Sequence, residues 1–451
     1  MNDYLEVVYI PRIKDLVNKV EEYKQCLIQR RAESIIPYFE EGLKKYNDWK
    51  KENLQLQKLR EKLNKLSKEY NQTKNPDLIY ESTKIKHEIK QKLERVRKLE
   101  EEIKKIELLL PNWLLEDVPI GYGEEQVKPI KYVGKPKVWK EKINNFELMY
   151  PNVEYEVISY KPYHHYNLVG KLIDQEKAGD IAISRFYYLF DELVLLNFAI
   201  SMYAIEFFKD KGYGDKLMIT PYLMRRSVEE KITYFEAFED TIFEIEKDNL
   251  LLIPSSEHSI IAYYKDTIFN PEDLPIRIIA WTPCFRREAG AHGKDTRGIF
   301  RVRQFHKVEL HSILKKDEDI HEIYKITDDV QEFLLSLGIP NRAVIVPSGD
   351  MDKRALIQID IESWFPAQGK YRETHSIATL GTWVSEKLKI RYRVPKGKKE
   401  LTRNVYATGA AVERLICAIV ENHYNPEDKT IKIPKPLHKY MMGVKEIYVG
   451  D

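Results

Sequence analysis

The residues best placed to do chemistry lie in one stretch, Thr282 to Leu310, which reads TPCFRREAGAHGKDTRGIFRVRQFHKVEL. Side chains on a β-strand alternate between its two faces. With Ile299–His311 as a strand, Arg301, Arg303, Phe305, Lys307 and Glu309 share one face, and Phe300, Val302, Val308 and Leu310 the other. Arg286 and Glu288 share a face on the preceding strand, Arg277–Glu288, in which Pro283 is the one defect. Gly290, Gly293 and Gly298 break the segment between them, so an antiparallel hairpin with a long tip is expected. A face carrying several cations, one ring and terminal carboxylates can hold a nucleotide. The cations suit phosphates, the ring a base and an acid an exocyclic amine. Periodicity alone is equally satisfied by a solvated strand face of alternating charge.

Other elements must position this hairpin. Glu192–Lys211 is apolar almost all round and reads as a buried or interface helix. A strand over Lys216–Leu223 follows, and Pro221 within it argues for an edge or an interface. Downstream come Leu250–Ser259, a helix over Asp317–Leu337, the strand Leu356–Ser363, and the segments Lys370–Ile377 and Lys389–Val394. Ala407–Glu421, ATGAAVERLICAIVE, reads as a small-residue strand running into an amphipathic helix.

The first third is different. Trp49, Leu56, Leu59, Leu63, Leu66 and Tyr70 follow the three-four spacing of a coiled-coil seam. Asn71–Asp77 is a breaker. A second stripe then runs through Ile85, Ile89, Leu93, Val96, Leu99, Ile103, Ile106 and Leu110 and stops at Pro111. Two such helices joined by a short turn should fold back as an antiparallel hairpin, each roughly 50 Å long and projecting beyond a globular body. Lys44, Lys45, Lys50, Lys51, Arg60, Lys62, Lys84, Lys86, Arg95 and Arg97 make it basic. Interleaved Glu allows an ordinary solvated face or a dimerisation arm; the cations also allow a shape-selective contact with a phosphate backbone.

A length of 451 residues, 43% hydrophobic and 32% charged, predicts two or three globular domains. The net charge of +2 restricts any nucleic-acid contact to local patches. Cys26, Cys284 and Cys417 are isolated and match no metal or disulfide spacing, so a reduced, cytoplasmic setting is expected. No apolar run approaches the ~20 residues of a membrane span, and no membrane partner is expected. The opening residues lack an apolar signal core. His164 and His165 have no partner cysteines and read as ordinary polar residues.

Taken together, these stretches resemble the seryl-tRNA synthetases, a class II aminoacyl-tRNA synthetase family. Glu192–Pro221 looks like motif 1, PCFRREAG…GKDTRGIFRVRQFHKVEL like motif 2, and GAAVERLICAIVE like motif 3. LPNWLLEDVPIG, SRFYYL at Ser184–Leu189, DIESWFPAQGKYRE and the terminal IPKPLHKYMMG support the match. The resemblance implies an α+β fold: a class II catalytic domain, an antiparallel sheet flanked by helices, over 113–451. It also implies an N-terminal tRNA-binding domain over 1–112 carrying a long antiparallel coiled-coil arm at about 38–110.

The resemblance further implies roles. Arg286, Arg414 and Glu373 would be catalytic: Arg286 on the α-phosphate and the serine carboxylate, Arg414 on the γ-phosphate, and Glu373 with Ser376 for Mg²⁺ and ATP. Glu288 would accept from the adenine amine, Phe305 would stack on adenine, and Val302 would meet the base through its backbone. Arg287, Thr374 and His375 would complete the ATP site. Ser255, Ser256 and Glu257 stand where the family has Thr-x-Glu for the serine amino group, and Glu309 and Thr408 would face the serine side chain. The implied substrates are ATP, L-serine and tRNA(Ser), whose long variable arm the helical hairpin would contact; the implied assembly is a homodimer, with Mg²⁺ and without zinc. Departures cluster in the amino-acid pocket: Tyr406 replaces an asparagine, and His375-Ser376-Ile377-Ala378-Thr379-Leu380 replaces S-S-C-S-N-C. Beside serine activation and transfer stand two alternatives, a ligase adenylating an amino acid for another acceptor and a non-catalytic RNA-binding paralogue.

Overall fold

The computed structural model describes residues 11–233, 239–288 and 295–450, so Gly290 and Gly293 of the hairpin tip lie outside the described residues. The chain divides into two compact units that meet between Trp113 and Leu114.

In the first unit, α1 spans Ile36–Thr73 and α2 spans Asp77–Leu108. Lys, Glu, Leu and Gln, all good helix formers, fill both, and Pro37 occupies the first turn of α1, where its missing N–H costs nothing. α1 runs three residues into the expected breaker, Asn71–Asp77, and α2 starts at its last residue. α1 ends at Lys74, which turns left-handed (φ 58°) while its N–H donates to the Tyr70 carbonyl at 2.8 Å. Leu56 and Leu66 of α1 and Ile85, Val96, Leu99, Ile103 and Ile106 of α2 are buried, as the two stripes require. Ion pairs fix an antiparallel register: Lys45 with Glu102 (2.8 Å), Glu52 with Lys92 (2.6 Å) and Lys62 with Glu81 (2.7 Å). Trp49 Nε1 donates to Glu100 at 3.1 Å. Lys45 and Lys62 are thus committed within the hairpin. Lys44, Lys51, Arg60, Lys84, Lys86, Arg95 and Arg97 stay exposed.

The second unit is built on an eight-stranded sheet. In chain order its strands are β1 (Lys128–Val133), β2 (Lys216–Met218), β3 (Ile276–Phe285), β4 (Gln304–Leu314), β5 (Asn341–Ile345), β6 (Ile357–Phe365), β7 (Lys370–Gly381) and β8 (Arg403–Ala411). Across the sheet they run β1-β5-β6-β7-β8-β4-β3-β2, antiparallel throughout except that β2 lies parallel to β3. Helices α3 (Asp191–Asp210), α4 (Ser256–Tyr263), α5 (Asp319–Ser336) and α6 (Val412–His423) accompany it. Packing of α3, α5 and α6 on the sheet buries a continuous core that includes Leu196, Ile200, Phe208, Ile326, Phe333, Leu310, Ile377, Val405 and Ile416.

Two expectations from periodicity need correcting. Pro221 lies beyond β2, which is only three residues long and forms the sheet edge; a proline cannot extend that ladder. Pro283, by contrast, sits inside β3 opposite His306, where β2 no longer pairs with the outer side of β3. The second arm of the hairpin begins at Gln304, not Ile299. Other segments take up the intervening backbone: Gln175 bonds both polar groups of Gly298, His165 Nε2 accepts from Ile299 N (3.3 Å), and Arg185 bonds Arg301 O (3.1 Å) and Arg303 N (3.0 Å). Gly298 has φ +74°, and a Cβ there would lie 2.0 Å from His165 Nε2, so no other residue fits. His165 also reaches Glu421 of α6 at 3.2 Å, which makes it a clamp rather than an incidental polar residue.

Candidate active site

One face of β4, β6, β7 and β8 floors a cavity of about 500 Å³, within the usual range for a small-molecule site. Its wall holds Ser255, Glu257, Arg286, Glu288, Val302, Phe305, Glu373, Thr374, Ser376, Thr408 and Arg414, eleven of the fifteen site residues expected from sequence. Local structure explains each position. Backbone bonds from Phe285 N to Ile253 O and from Arg286 N to Arg303 O hold the chain leaving β3, and Arg286 Nε donates to Pro254 O at 3.3 Å. The Arg286 guanidinium lies 5.1 Å above the Phe305 ring. Glu288, with φ +52°, turns back to pair with Arg301. Ser255 caps α4: its Oγ accepts from Glu257 N at 3.2 Å and sets Glu257 in the first turn.

Glu373 and Ser376 are three apart, the wrong parity for one face of a regular strand. A bulge supplies the correction. Glu373 pairs with Glu362 and Ser376 with Asp360, so the extra residue, Thr374, opposes nothing and the two site residues come to the same face. Ser376 donates to Asp360, which also accepts from Gln358 at 3.0 Å. Burial, then the nearby charge of Glu373, pushes the Asp360 carboxyl well above its usual range. Nothing in the sequence marks Asp360 as a site residue, because it is the fourth residue of a strand, IQIDIESWF, in which polar and apolar residues are mixed. Arg414, at the start of α6, donates to the Glu373 carboxylate (3.0 Å) and carbonyl (2.9 Å) and lies 5.0 Å from the Phe300 ring. Its neighbour Glu413 is buried and gathers Tyr187 (2.6 Å), Asn197 (3.2 Å) and His306 N (2.8 Å), which ties α6 to α3 and β4. Nothing in the spacing of ATGAAVERL signals that hub.

Four expected residues lie outside the cavity wall. Arg287 is held through its backbone N–H to Thr241 O (2.7 Å). Ser256 is fully buried behind the α4 cap. The His375 side chain faces the opposite side of β7, 6.4 Å from the Phe333 ring; because Thr374 is the bulged residue, the next one turns into the core. Burial holds His375 neutral, its pKa lowered to about 3. Glu309 is fully buried opposite Thr408; it pairs with Lys307 and accepts from Ser255 Oγ at 3.5 Å, while Oε1 has no hydrogen-bond partner.

The end of the cavity at Glu257 contains a network that sequence did not reveal. Arg354 Nη1 donates to Glu257 Oε1 and to Ile232 O, both at 2.9 Å, and Nε donates to both Asp352 oxygens at 3.0 Å. Tyr406 OH donates to Asp352 Oδ2 at 3.1 Å. The departure at Tyr406 therefore has a structural partner, the Asp352–Arg354 pair. The Glu373, Ser376 and Asp360 oxygens form a donor set suited to a hard cation. Among the described residues no three His, Cys, Asp or Glu side chains converge on a metal position, so a Mg²⁺ here would draw most ligands from phosphate and water. Cys26, Cys284 and Cys417 are buried free thiols, and no helix among the described residues is long and apolar enough to cross a membrane.

Comparison with known proteins places this geometry. The model of the seryl-tRNA synthetase N-terminal domain matches residues 12–114, and that of the tRNA synthetase class II core domain (G, H, P, S and T) matches 240–423. The serine–tRNA ligase of Pyrococcus horikoshii is 36% identical over 96% of this chain and 97% of its own. That of Hyperthermus butylicus is 36% identical over 87% of this chain and 88% of its own. The crystal structure of the Pyrococcus horikoshii seryl-tRNA synthetase complexed with ATP superposes with a TM-score of 0.92, at 35% identity, covering 97% of this chain and 99% of that one. The cytoplasmic serine–tRNA ligase of Naegleria fowleri in complex with AMP gives 0.83 at 27% identity, covering 98% and 99%.

Proposed function

The chain belongs to the seryl-tRNA synthetase family, and from that premise we propose that it activates L-serine with ATP and transfers the seryl group to tRNA(Ser). The observation that carries this reading is one cavity wall in which phosphate-binding arginines and an amino-acid pocket meet: Arg286 and Arg414 beside Glu257, Tyr406 and Thr408. The serine carboxylate attacks the ATP α-phosphorus in line and pyrophosphate leaves. The terminal ribose hydroxyl of the tRNA then attacks the seryl carbonyl and AMP leaves. No side chain need be a nucleophile; the arginines position the reactants and stabilise phosphate charge.

Arg286 is assigned to the α-phosphate and serine carboxylate, Arg414 to the γ-phosphate, and Phe305 to the adenine ring. Glu288 and the Val302 backbone are assigned to the base, and Glu257 and Ser255 to the serine ammonium. Glu309, whose Oε1 lacks a partner, and Thr408 are assigned to the serine hydroxyl, since a buried acceptor without a partner favours a ligand that supplies a donor. Glu373 and Ser376 would hold Mg²⁺, which would supply charge neutralisation on the ATP phosphates. Residues 1–112 are assigned to tRNA binding through the exposed cations of α1 and α2, and 113–451 to catalysis. A homodimer forms through the apolar face of α3 and β2, where Phe198, Met202, Leu217 and Ile219 are exposed side by side with Trp281. The cytoplasm is the expected compartment.

The alternatives have less support: the helical hairpin is present, and Arg286, Glu373 and Arg414 all reach the cavity. Serine-dependent ATP–pyrophosphate exchange followed by tRNA(Ser) charging tests the reading. Both reactions are expected. Exchange without charging would leave a ligase for another acceptor, and neither would leave a non-catalytic paralogue.

A further inference from the structure

Arg354 is 2% exposed and lies between two carboxylates, Glu257 and Asp352, in the cavity wall. Two carboxylates and one guanidinium carry a single net negative charge, which fits one cation of the substrate. Lys307 and Glu309 nearby pair with each other, and His258 is occupied by Glu229 at 2.6 Å. The α-ammonium of the amino acid is the cation the proposed reaction brings to this wall. A carboxylate can receive it only if it is ionised and aimed, and a buried carboxylate is neither by default.

We propose that Arg354, tethered by Asp352 and Tyr406, is a positioning residue that holds Glu257 as an aimed carboxylate for the substrate ammonium. Its Nη1 takes Glu257 Oε1 at 2.9 Å and is itself fixed by Ile232 O, so the carboxylate rotamer is set before substrate arrives. Asp352 grips the Nε side of the same guanidinium, and the Tyr406 hydroxyl fixes Asp352. Burial alone would push the Glu257 carboxyl up; Arg354, helped by His258, outweighs burial and leaves it below its ordinary value. The inference rests on the assignment of Glu257 to the serine ammonium.

Serine-dependent ATP–pyrophosphate exchange tests it, on the full-length chain and on Arg354→Met, Arg354→Lys, Tyr406→Phe, Glu257→Gln and Arg354→Met/Glu257→Gln, with folding followed by thermal melting. Arg354→Met should raise KM for serine at least about tenfold with KM for ATP unchanged, since bonds to charged groups carry the contact. Tyr406→Phe, which removes one hydroxyl, should raise it about threefold, and Arg354→Lys should recover part of the loss. In the Glu257→Gln background Arg354→Met should add nothing further. The acid limb of kcat/KM for serine should move to higher pH in Arg354→Met, because an unbraced Glu257 takes up a proton more readily. The other groups facing Glu257 are His258 on α4, Asp352, Glu309 and His311 on β4, and Tyr406 on β8; Asp352 loses the same guanidinium in that variant, so the shift due to Glu257 is the part that disappears when Glu257→Gln is added. An unchanged serine KM in Arg354→Met and Tyr406→Phe, or an equal effect with and without the Glu257 carboxylate, would overturn the brace. If Arg354→Met does not fold, the serine KM of Tyr406→Phe decides in the same way. Absence of serine-dependent exchange in the parent chain would overturn the assignment of the site itself, and the brace with it.

Discussion

Burial pushes the Glu309 carboxyl up to about 7 from an ordinary 4.5, and Lys307 beside it keeps the rise from being larger. An acid raised in this way binds its proton more tightly in the native chain. The stability it contributes is complete below 4.5 and is lost as pH rises through about 7. Glu309→Gln cannot titrate, so its stability relative to the parent should rise by ~1–3 kcal/mol between pH 5 and pH 8, measured by denaturant unfolding. A flat difference would mean that Glu309 is already ionised at pH 5. At this scale the sequence names the groups better than their partners. Arg286, Glu373 and Arg414 stand in recognisable motifs, and the cavity does gather them. The Asp352–Arg354–Tyr406 contact joins residues 52 to 54 positions apart, and nothing local at Tyr406 announces an aspartate at hydrogen-bond distance.

Elements were legible where their physics is local. The stripes of α1 and α2, the apolar run of α3 and the amphipathic α6 all form within a few residues of expectation, because hydrophobic periodicity alone decides them. Strand ends were less legible, because distant groups decide them. Arg301 and Arg303 alternate as a strand should, yet Arg185 takes their backbone bonds and β4 starts at Gln304. The bulge at Thr374 is the same lesson with a chemical consequence: it alone brings Glu373 and Ser376 to one face beside Asp360. With that face assigned to Mg²⁺, Glu373→Gln should raise the Mg²⁺ concentration for half-maximal exchange by about tenfold or more. Saturating Mg²⁺ should restore part of the rate. An unaltered Mg²⁺ dependence would remove Glu373 from the metal site and leave it as the anchor of Arg414.

Assembly and tRNA capture belong to the whole molecule. Ile219 and Phe198 are 72% and 57% exposed and lie beside Met202 and Leu217 on the α3–β2 face, a contiguous apolar patch of the kind that marks an interface. Ile219→Glu should shift the protein to monomers in sedimentation, whereas a parent that is itself monomeric would refute the homodimer. The helical hairpin allows a cleaner separation of the two half-reactions, because its register shows where to shorten it. Glu52 pairs with Lys92, so Asn53 and Gln91 lie close to one level, and excising Leu54–Lys90 with a short Asn-Gly turn leaves the Trp49–Glu100 and Lys45–Glu102 contacts in place. The excision removes the exposed cations Arg60, Lys84 and Lys86 and no residue of the cavity wall. Serine-dependent exchange should therefore keep its kcat and both KM values, while kcat/KM for tRNA(Ser) charging falls at least about tenfold and its salt dependence flattens, as loss of phosphate contacts requires. Charging at the parental rate would assign α1 and α2 a role other than tRNA binding, and loss of both reactions would show that the hairpin supports the catalytic unit itself.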